Sequence, residues 1–116
     1  MKNGALICLA AVSGAFAVMA GAFGAHGASG RAAEWLRTGG EYEVIHALAA
    51  IVAIQFGARP AAALLLGGSV LFAATLYAMA LGAPLWLGAV TPIGGLGMIA
   101  GWSLFAWRAV ATNRPN

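Results

Sequence analysis

Residues 4–25 read GALICLAAVSGAFAVMAGAFGA and contain no charged side chain. A helix needs about 20 apolar residues to cross a hydrocarbon core about 30 Å thick, so this run predicts a transmembrane helix. It also resembles a secretory signal peptide, because Lys2 precedes it and the small residues Ala20-Gly21-Ala22 offer a cleavage site. The run exceeds the roughly 7–15-residue apolar core of such peptides. We therefore predict that it is retained as the first span.

The composition of the rest of the chain also favours lipid as the solvent. Of the 116 residues, 62% are hydrophobic and only 8% are charged, whereas a soluble domain carries about 25% charged residues. The six Lys and Arg residues are scattered along the chain, which excludes the clustered basic patch of a nucleic-acid-binding protein. The lone Cys8 cannot form an internal disulfide. We predict one membrane domain over residues 1–116, with the bilayer as its principal partner.

Three further apolar segments predict three more spans, at about 42–57, 61–81 and 91–110. The second is short, so its first turn is predicted to lie among the lipid headgroups. Arg59-Pro60 predicts a tight turn after it. Thr91-Pro92 is typical of a helix start, with Thr as the N-cap and Pro at the first helical position. Residues 82–91 form a connector, and residues 113–116 form a polar tail.

The stretch between the first two spans, residues 26–42, is the polar part of the chain. Within it, Ala32 to Arg37 places Trp35 among charged residues, a composition typical of a helix lying on the membrane surface. Gly39-Gly40 is predicted to end that helix. The predicted fold is therefore an all-α membrane protein, a compact bundle of four transmembrane helices with a short interfacial helix between the first and second.

The positions of the cations predict the orientation of the bundle. In the four-span prediction one side holds Lys2, Arg59, Arg108 and Arg114, and the other holds two arginines with all three glutamates. Because Lys and Arg accumulate on the cytoplasmic side, both termini are predicted to be cytoplasmic.

Small residues at four-residue spacing predict where helices approach closely. The first span carries Gly14 and Gly21 in such rows, and the fourth carries Gly97 and Gly101 as a GxxxG motif. We predict that these two helices supply the close-contact surfaces. The sequence leaves open whether the contacts lie within one chain or between subunits.

The side chains available for chemistry are few. The chain has no Asp, and its glutamates are predicted to lie outside the spans or at their edges. Ion-coupled transporters usually bind the coupling ion with a carboxylate at membrane depth, and none is predicted here. No nucleophile lies in a pattern with a base and a third orienting group. We therefore predict no enzymatic activity.

His26 and His46 are predicted to lie near the non-cytoplasmic face, with Glu43 on the same helical face as His46 and Tyr42 one turn before it. Three interpretations remain open. Each histidine can bond a backbone carbonyl or a neighbouring helix, which is the favoured interpretation. The two can bind Zn²⁺ or Cu²⁺ as a metal pair, or they can take part in proton or quinone chemistry.

Several motifs together resemble the bacterial YgdD-like family (domain of unknown function 423), which is also similar to a small eukaryotic transmembrane protein. They are GAFGAHG at residues 21–27, Tyr42 with His46-Ala47-Leu48-Ala49, and TPIGG at residues 91–95. The resemblance covers nearly the whole chain and implies a four-helix protein of the bacterial inner membrane with no established activity. The chain departs from the family in having Tyr42-Glu43 where members often have Tyr-Gln. The positions that match the family motifs are His26, Tyr42, His46, Thr91, Pro92, Gly94 and Gly95.

Two functional hypotheses follow. The first is a non-enzymatic accessory subunit of a membrane complex, or a homo-oligomer. The second is a small protein that binds or transports a ligand, metal or ion near the non-cytoplasmic face, where the fourth helix presents N-terminal amides to a polar ligand. No cofactor is identified. The candidate ligand-binding residues are His26, Tyr42, Glu43, His46, Thr91, Gly94 and Gly95.

Overall fold

The computed structural model describes residues 2–112, so Met1 and the predicted polar tail, with Arg114, lie outside the described residues. The described chain is helical and contains no strand. A short 3₁₀ helix, Leu85–Ala89, occupies the connector between the last two α-helices. The α-helices are α1 (Asn3–His26), α2 (Gly30–Gln55), α3 (Arg59–Ala80) and α4 (Thr91–Thr112).

Three segments are long and apolar enough to cross a membrane. They are Asn3–His26, Arg59–Ala80 and Leu85–Ala111, by length and composition. They correspond to the first, third and fourth predicted spans. Their ends agree to within a few residues, except that the last segment begins earlier because it includes part of the connector. Helix α2 does not reach that hydropathy because it carries Glu41, Glu43 and His46.

Helix α2 runs unbroken through the stretch where a surface helix and a break were predicted. The predictions of a separate interfacial helix at Ala32–Arg37 and of a break at Gly39-Gly40 are therefore wrong. A glycine costs a helix about 1 kcal/mol relative to alanine, but these two lie where neighbours come closest. A Cβ at Gly40 would lie 2.8 Å from the carbonyl oxygen of Ala17, and one at Gly39 would lie 2.6 Å from the Tyr77 ring. Close helix packing offsets the cost and keeps α2 continuous.

Left-handed glycines end α2 and α3. Gly57 has φ +73° and Gly82 has φ +101°, a region that residues with a Cβ rarely adopt. The Ala58 N–H donates back to the Ala53 carbonyl at 2.8 Å, which is the long bond of a Schellman motif. The predicted turn at Arg59-Pro60 is placed too late, because both residues already belong to α3.

Each helix packs antiparallel on the helix before it in the chain, in the order α1, α2, α3, α4, and α1 barely touches α3. The buried positions of α1 recur at intervals of three, four or seven residues, the spacing of a coiled-coil seam. This stripe passes beside Gly14, whose Cβ position has no neighbour within 4 Å. The stripe consists of Leu6, Ala10, Ser13, Ala17 and Gly24.

Glycines bring α3 and α4 into backbone contact. A Cβ at Gly94 would lie 2.6 Å from the carbonyl oxygen of Gly68, and one at Gly101 would lie 2.9 Å from the backbone nitrogen of Leu65. Gly97 also faces Gly68, at 3.2 Å from its Cα. The predicted GxxxG pair of α4 thus packs on α3 within the chain. Gly21 of α1 has an open Cβ direction, but its own backbone nitrogen lies 3.2 Å from the Cβ position of Gly40.

Candidate functional site

Glu43 lies near the middle of α2 and is 5% exposed. Its carboxylate is level with Ser13 on α1 and is reached from α3 by Tyr77. The predicted position of Glu43 in the first turn of its helix is wrong, because α2 begins at Gly30 and not near Tyr42. The described bundle therefore holds a carboxylate in its interior, at the level of the apolar middle of α1.

Both oxygens of Glu43 accept hydrogen bonds from hydroxyl groups. Ser13 Oγ donates to Oε2 at 2.6 Å, and Tyr77 Oη donates to Oε1 at 2.6 Å. Bonds to an ionised acceptor are short and stronger than neutral ones, so they offset part of the cost of burying the carboxylate. An ionised carboxylate offers about four acceptor positions. Two are used here, which leaves the group able to accept a further donor.

The glycine pair one turn before Glu43 makes this arrangement possible. Gly40 allows the backbone of α1 to approach at Ala17, which places Ser13 one turn away against the carboxylate. Gly39 leaves room for the ring of Tyr77, whose Cε1 would lie 2.6 Å from any Cβ there. The same glycines that were predicted to end a helix therefore set the geometry around the acid.

Glu43 and Ser13 form the polar part of a groove between α1 and α3, with a volume of about 640 Å³. All other lining residues are apolar or glycine. Two residues of its walls, Leu9 and Val70, are 48% and 42% exposed, so the groove opens on the outer surface of the bundle. Its other lining residues are Leu6, Val12, Phe16, Ala63, Leu66, Gly67, Leu71 and Ala74.

His46 is buried and has a hydrogen-bond partner at each ring nitrogen. The indole N–H of Trp102 donates to Nε2 at 2.9 Å, and Nδ1 lies 2.6 Å from the carbonyl oxygen of Tyr42. Because Nε2 accepts from the indole, we assign the ring proton to Nδ1, which donates to that carbonyl. These are the backbone and interhelix bonds of the favoured structural interpretation.

A second cavity brings together three of the predicted ligand-binding residues. Tyr42, His46 and Gly95 line a space of about 350 Å³. The Tyr42 ring packs on Phe72, with 4.8 Å between ring centroids. Glu43 does not line this cavity, because it points toward α1 and α3 instead. The remaining lining residues are Phe72, Met98, Ile99 and Trp102.

Thr91 and Gly94, at the start of α4, make contacts with α3. The hydroxyl oxygens of Thr91 and Thr75 lie 2.6 Å apart. Gly94 is pressed against Gly68 and Phe72. Of the residues predicted in this turn, Gly95 faces a cavity, whereas Thr91 and Gly94 are occupied by packing.

His26 and His46, the predicted metal pair, are not neighbours. Gly24, two residues before His26, lies beside Ala33 and Leu36, and His46 is about 15 Å farther along α2 than Leu36. Within residues 2–112 no group of three His, Cys, Asp or Glu side chains could hold a metal ion. Of the residues predicted for a ligand site, Tyr42, His46 and Gly95 therefore share one cavity, and His26 is not among its lining residues.

Sequence reasoning missed Ser13 and Tyr77, the two donors to Glu43. Tyr77 has no sequence signal that pairs it with Glu43, 34 positions away. A signal for Ser13 was present, because it falls in the seam of α1 with Leu6, Ala10 and Ala17. A hydroxyl at a seam position in an apolar helix indicates a polar partner across the seam.

Comparisons with known proteins agree on one family. The family model described as "Protein of unknown function (DUF423)" matches residues 20–95. The chain is 38% identical to the UPF0382 membrane protein of Haemophilus influenzae, over 92% of this chain and 94% of that protein. It is 36% identical to UPF0382 inner membrane protein YgdD of Escherichia coli, over 98% and 95%. UPF0382 membrane protein YwdK of Bacillus subtilis is 34% identical over 90% and 94%. No solved structure matches the chain.

Proposed function

The chain belongs to the DUF423 family of proteins of unknown function, and we propose that this member binds a lipid-soluble molecule in the groove between α1 and α3, with Glu43 as the binding group. It is a small integral membrane protein, as its apolar helices and its membrane-protein relatives indicate. The relative in Escherichia coli is named an inner membrane protein, and the inner membrane is the compartment we assign here.

We propose that α2 crosses the bilayer together with the three apolar helices. It packs between α1 and α3 over their length, so it lies at the same depth although its own hydropathy is lower. Lys2, Arg59 and Arg108 belong to the end of the bundle where α2 meets α3, and Arg108 donates to the Gly57 carbonyl there. The excess of cations at this end supports a cytoplasmic location for both termini.

The single observation that carries the proposed function is the position of the Glu43 carboxylate. An acid at the centre of a transmembrane helix costs about 2.5–3.5 kcal/mol on insertion scales, and such residues are functional candidates by default. Ser13 and Tyr77 are neutral donors, which offset only part of that cost. The carboxylate lines a groove that opens toward lipid, so a molecule dissolved in the bilayer has a direct route to it.

The proposed role is binding without chemical conversion. Apart from Ser13 and Glu43, the groove is lined by apolar side chains and glycine. Such walls favour an apolar ligand but offer few dipoles to stabilise the charge that develops in a transition state.

Native mass spectrometry from isolated membranes tests this function. We expect a bound small molecule or lipid to stay with the wild-type protein and to be reduced in Glu43→Gln, which keeps the size of the side chain but removes its charge. Glu41→Gln is the matched control, because it removes the same charge from an exposed position of the same helix. Equal occupancy in wild type and Glu43→Gln would contradict the proposal.

A second candidate, assembly into a homo-oligomer or a larger complex, is favoured by the exposed face of α2. Its residues follow one another at spacings of four and three, the pattern of a helix–helix seam. The face includes Glu41, an exposed carboxylate close in depth to Glu43, and contact with lipid there is costly. A protein partner would relieve that cost. The residues of this face are Glu34, Thr38, Glu41, Ile45, Leu48, Val52 and Gln55.

The subunit mass in a mild detergent tests this candidate, with Leu48→Trp to disturb the α2 face and Leu96→Trp, on an exposed face of α4, as the control. Assembly predicts a mass above that of one chain that falls in Leu48→Trp alone. A single chain in wild type, with no partner retained from native membranes, would exclude assembly.

A further inference from the structure

We propose that the ligand of the α1–α3 groove is a single-chain lipophilic cation, a protonated primary amine on an unbranched alkyl chain, which enters from the bilayer. The inference rests on the proposed function and adds the chemical class of the ligand. It follows from the shape of the groove, the position of its acid and the hydrogen-bonding capacity that remains there.

The groove is linear and has its polar group toward one end. Its lining runs along α1 from Leu6 to Phe16, a rise of about 15 Å. Glu43 is level with Ser13, near the Phe16 end, and its other donor, Tyr77, lies beyond the last lining residue of α3. An apolar trough therefore extends from the carboxylate in one direction, toward Leu6. This shape fits one head group with one tail.

The charge of the site selects a cationic head. The hydrogen-bond partners of Glu43 are two hydroxyls, which carry no positive charge. Opposite charges attract far more strongly in a medium of low dielectric constant than in water. An ammonium head gains this attraction, an alcohol head does not, and a carboxylate head is repelled.

The acceptor positions that remain on Glu43 and Ser13 match a primary ammonium group better than a quaternary ammonium group. A primary ammonium has three N–H donors and no acceptor. Glu43 has acceptor positions left, and Ser13 Oγ donates its proton to Glu43, so the hydroxyl oxygen can itself act as a second acceptor. A trimethylammonium head carries the same charge but has no N–H to donate.

The route into the site is lateral. Helices α1 and α3 barely touch, and Phe16 and Leu71 on the two walls are 57% and 38% exposed. These apolar walls offer no barrier to an alkyl chain that already lies among the lipids. The head group then reaches Glu43 at depth without passing through a water-filled channel.

Native mass spectrometry of the protein in phosphatidylcholine nanodiscs tests the inference with four probes of one chain length: dodecylamine, dodecyltrimethylammonium, dodecanol and dodecanoate. We expect one dodecylamine per chain, bound at least tenfold more tightly than dodecanol or dodecanoate, with dodecyltrimethylammonium in between. Glu43→Gln should lower the dodecylamine affinity at least tenfold and leave dodecanol unchanged. Glu41→Gln should keep wild-type binding, because it removes the same charge from an exposed position of α2 outside the groove.

The outcomes separate the ligand class from the function. Dodecanol bound as tightly as dodecylamine, with both lowered equally in Glu43→Gln, would overturn the cationic head while ligand binding at Glu43 stands. Equal loss in Glu41→Gln and Glu43→Gln would also overturn it, since the effect would not belong to the groove. Both proposals would be overturned if the wild-type protein bound none of the probes and also had the same melting temperature as Glu43→Gln.

Discussion

The indole N–H of Trp102 donates a 2.9 Å hydrogen bond to Nε2 of His46 and so links α4 directly to α2. The two rings meet edge to face, with centroids 5.7 Å apart. Helix α4 otherwise packs mainly on α3. The bond therefore couples α4 to the helix that carries Glu43.

Replacing Trp102 with Phe keeps an aromatic ring but removes the donor to His46. We expect a loss of about 1–2 kcal/mol in the free energy of unfolding, because a buried ring nitrogen is left without its partner. Thermal unfolding in detergent measures it. Trp107→Phe is the control, since Trp107 is 63% exposed, and an equal loss in both variants would show that the hydrogen bond adds no stability.

Alanine at Gly94 should separate α3 from α4. The added Cβ would lie 2.6 Å from both the Gly68 carbonyl oxygen and the Phe72 nitrogen, and backbone atoms cannot move aside as a flexible side chain does. We expect about 3 kcal/mol of destabilisation, the upper part of the usual range for overpacking. The neighbouring Gly95→Ala has no atom within 4 Å and should be neutral or gain up to about 1 kcal/mol from helix propensity. Equal melting temperatures for the two variants would refute the close contact.

Gly40→Ala tests the contact between α1 and α2 in the same way. Its Cβ would lie 2.8 Å from the Ala17 carbonyl oxygen, so α1 must move away and carry Ser13 from Glu43. We expect about 2 kcal/mol of destabilisation together with weaker ligand binding in the groove. Gly14→Ala, with open space around its Cβ position, should leave ligand binding unchanged and should be neutral for stability or gain up to about 1 kcal/mol from helix propensity. A Gly40→Ala protein with wild-type stability would mean that α1 lies farther from α2 than described.

Tyr77→Phe removes one of the two donors to Glu43. We expect the free energy of unfolding to fall by about 1–2 kcal/mol, which is the range for hydrogen bonds to charged groups and for hydrogen bonds within membranes. In the Glu43→Gln background the same substitution should cost less, because the acceptor is no longer ionic. A double-mutant cycle on unfolding free energies gives the difference, and a coupling of zero would show that the two side chains do not interact.

The orientation of the bundle can be read by labelling introduced cysteines, after the native thiol is removed by Cys8→Ala. With both termini cytoplasmic, Ser29→Cys between α1 and α2 should react with an impermeant maleimide added to intact spheroplasts. Gly57→Cys, between α2 and α3, should react only after the membrane is opened. The reverse pattern would invert the topology, and labelling of both positions from one side would exclude a crossing by α2.

The sequence was sufficient to predict the boundaries of α1, α3 and α4. Their apolar runs have the length of a span, and Thr91-Pro92 begins α4 as predicted. Helix α2 was predicted to begin twelve residues too late because glycine weakens a helix, and helix propensity takes no account of a neighbouring backbone. At Gly39 and Gly40 the contacts with Tyr77 and Ala17 decide the outcome.

The candidate site could not be predicted because the start of α2 was placed too late, and this error put Glu43 at a helix end. With α2 beginning at Tyr42, Glu43 falls in the first turn, and no intramembrane acid is expected. With α2 beginning at Gly30, the same residue is central and faces Ser13. The pairing of Ser13 and Tyr77 with Glu43 joins residues 30 and 34 positions apart, a relationship that spacing along one helix does not contain.

The sequential order of the helix contacts has a consequence for how the protein is made. Each helix finds its main packing surface on the helix synthesised just before it, so no helix has to wait for a partner that the ribosome delivers much later. The hairpin of α3 and α4, held by Gly68 and Gly94, can close as soon as α4 leaves the translocon. The bond from Trp102 to His46 cannot form until α4 is in place beside α2.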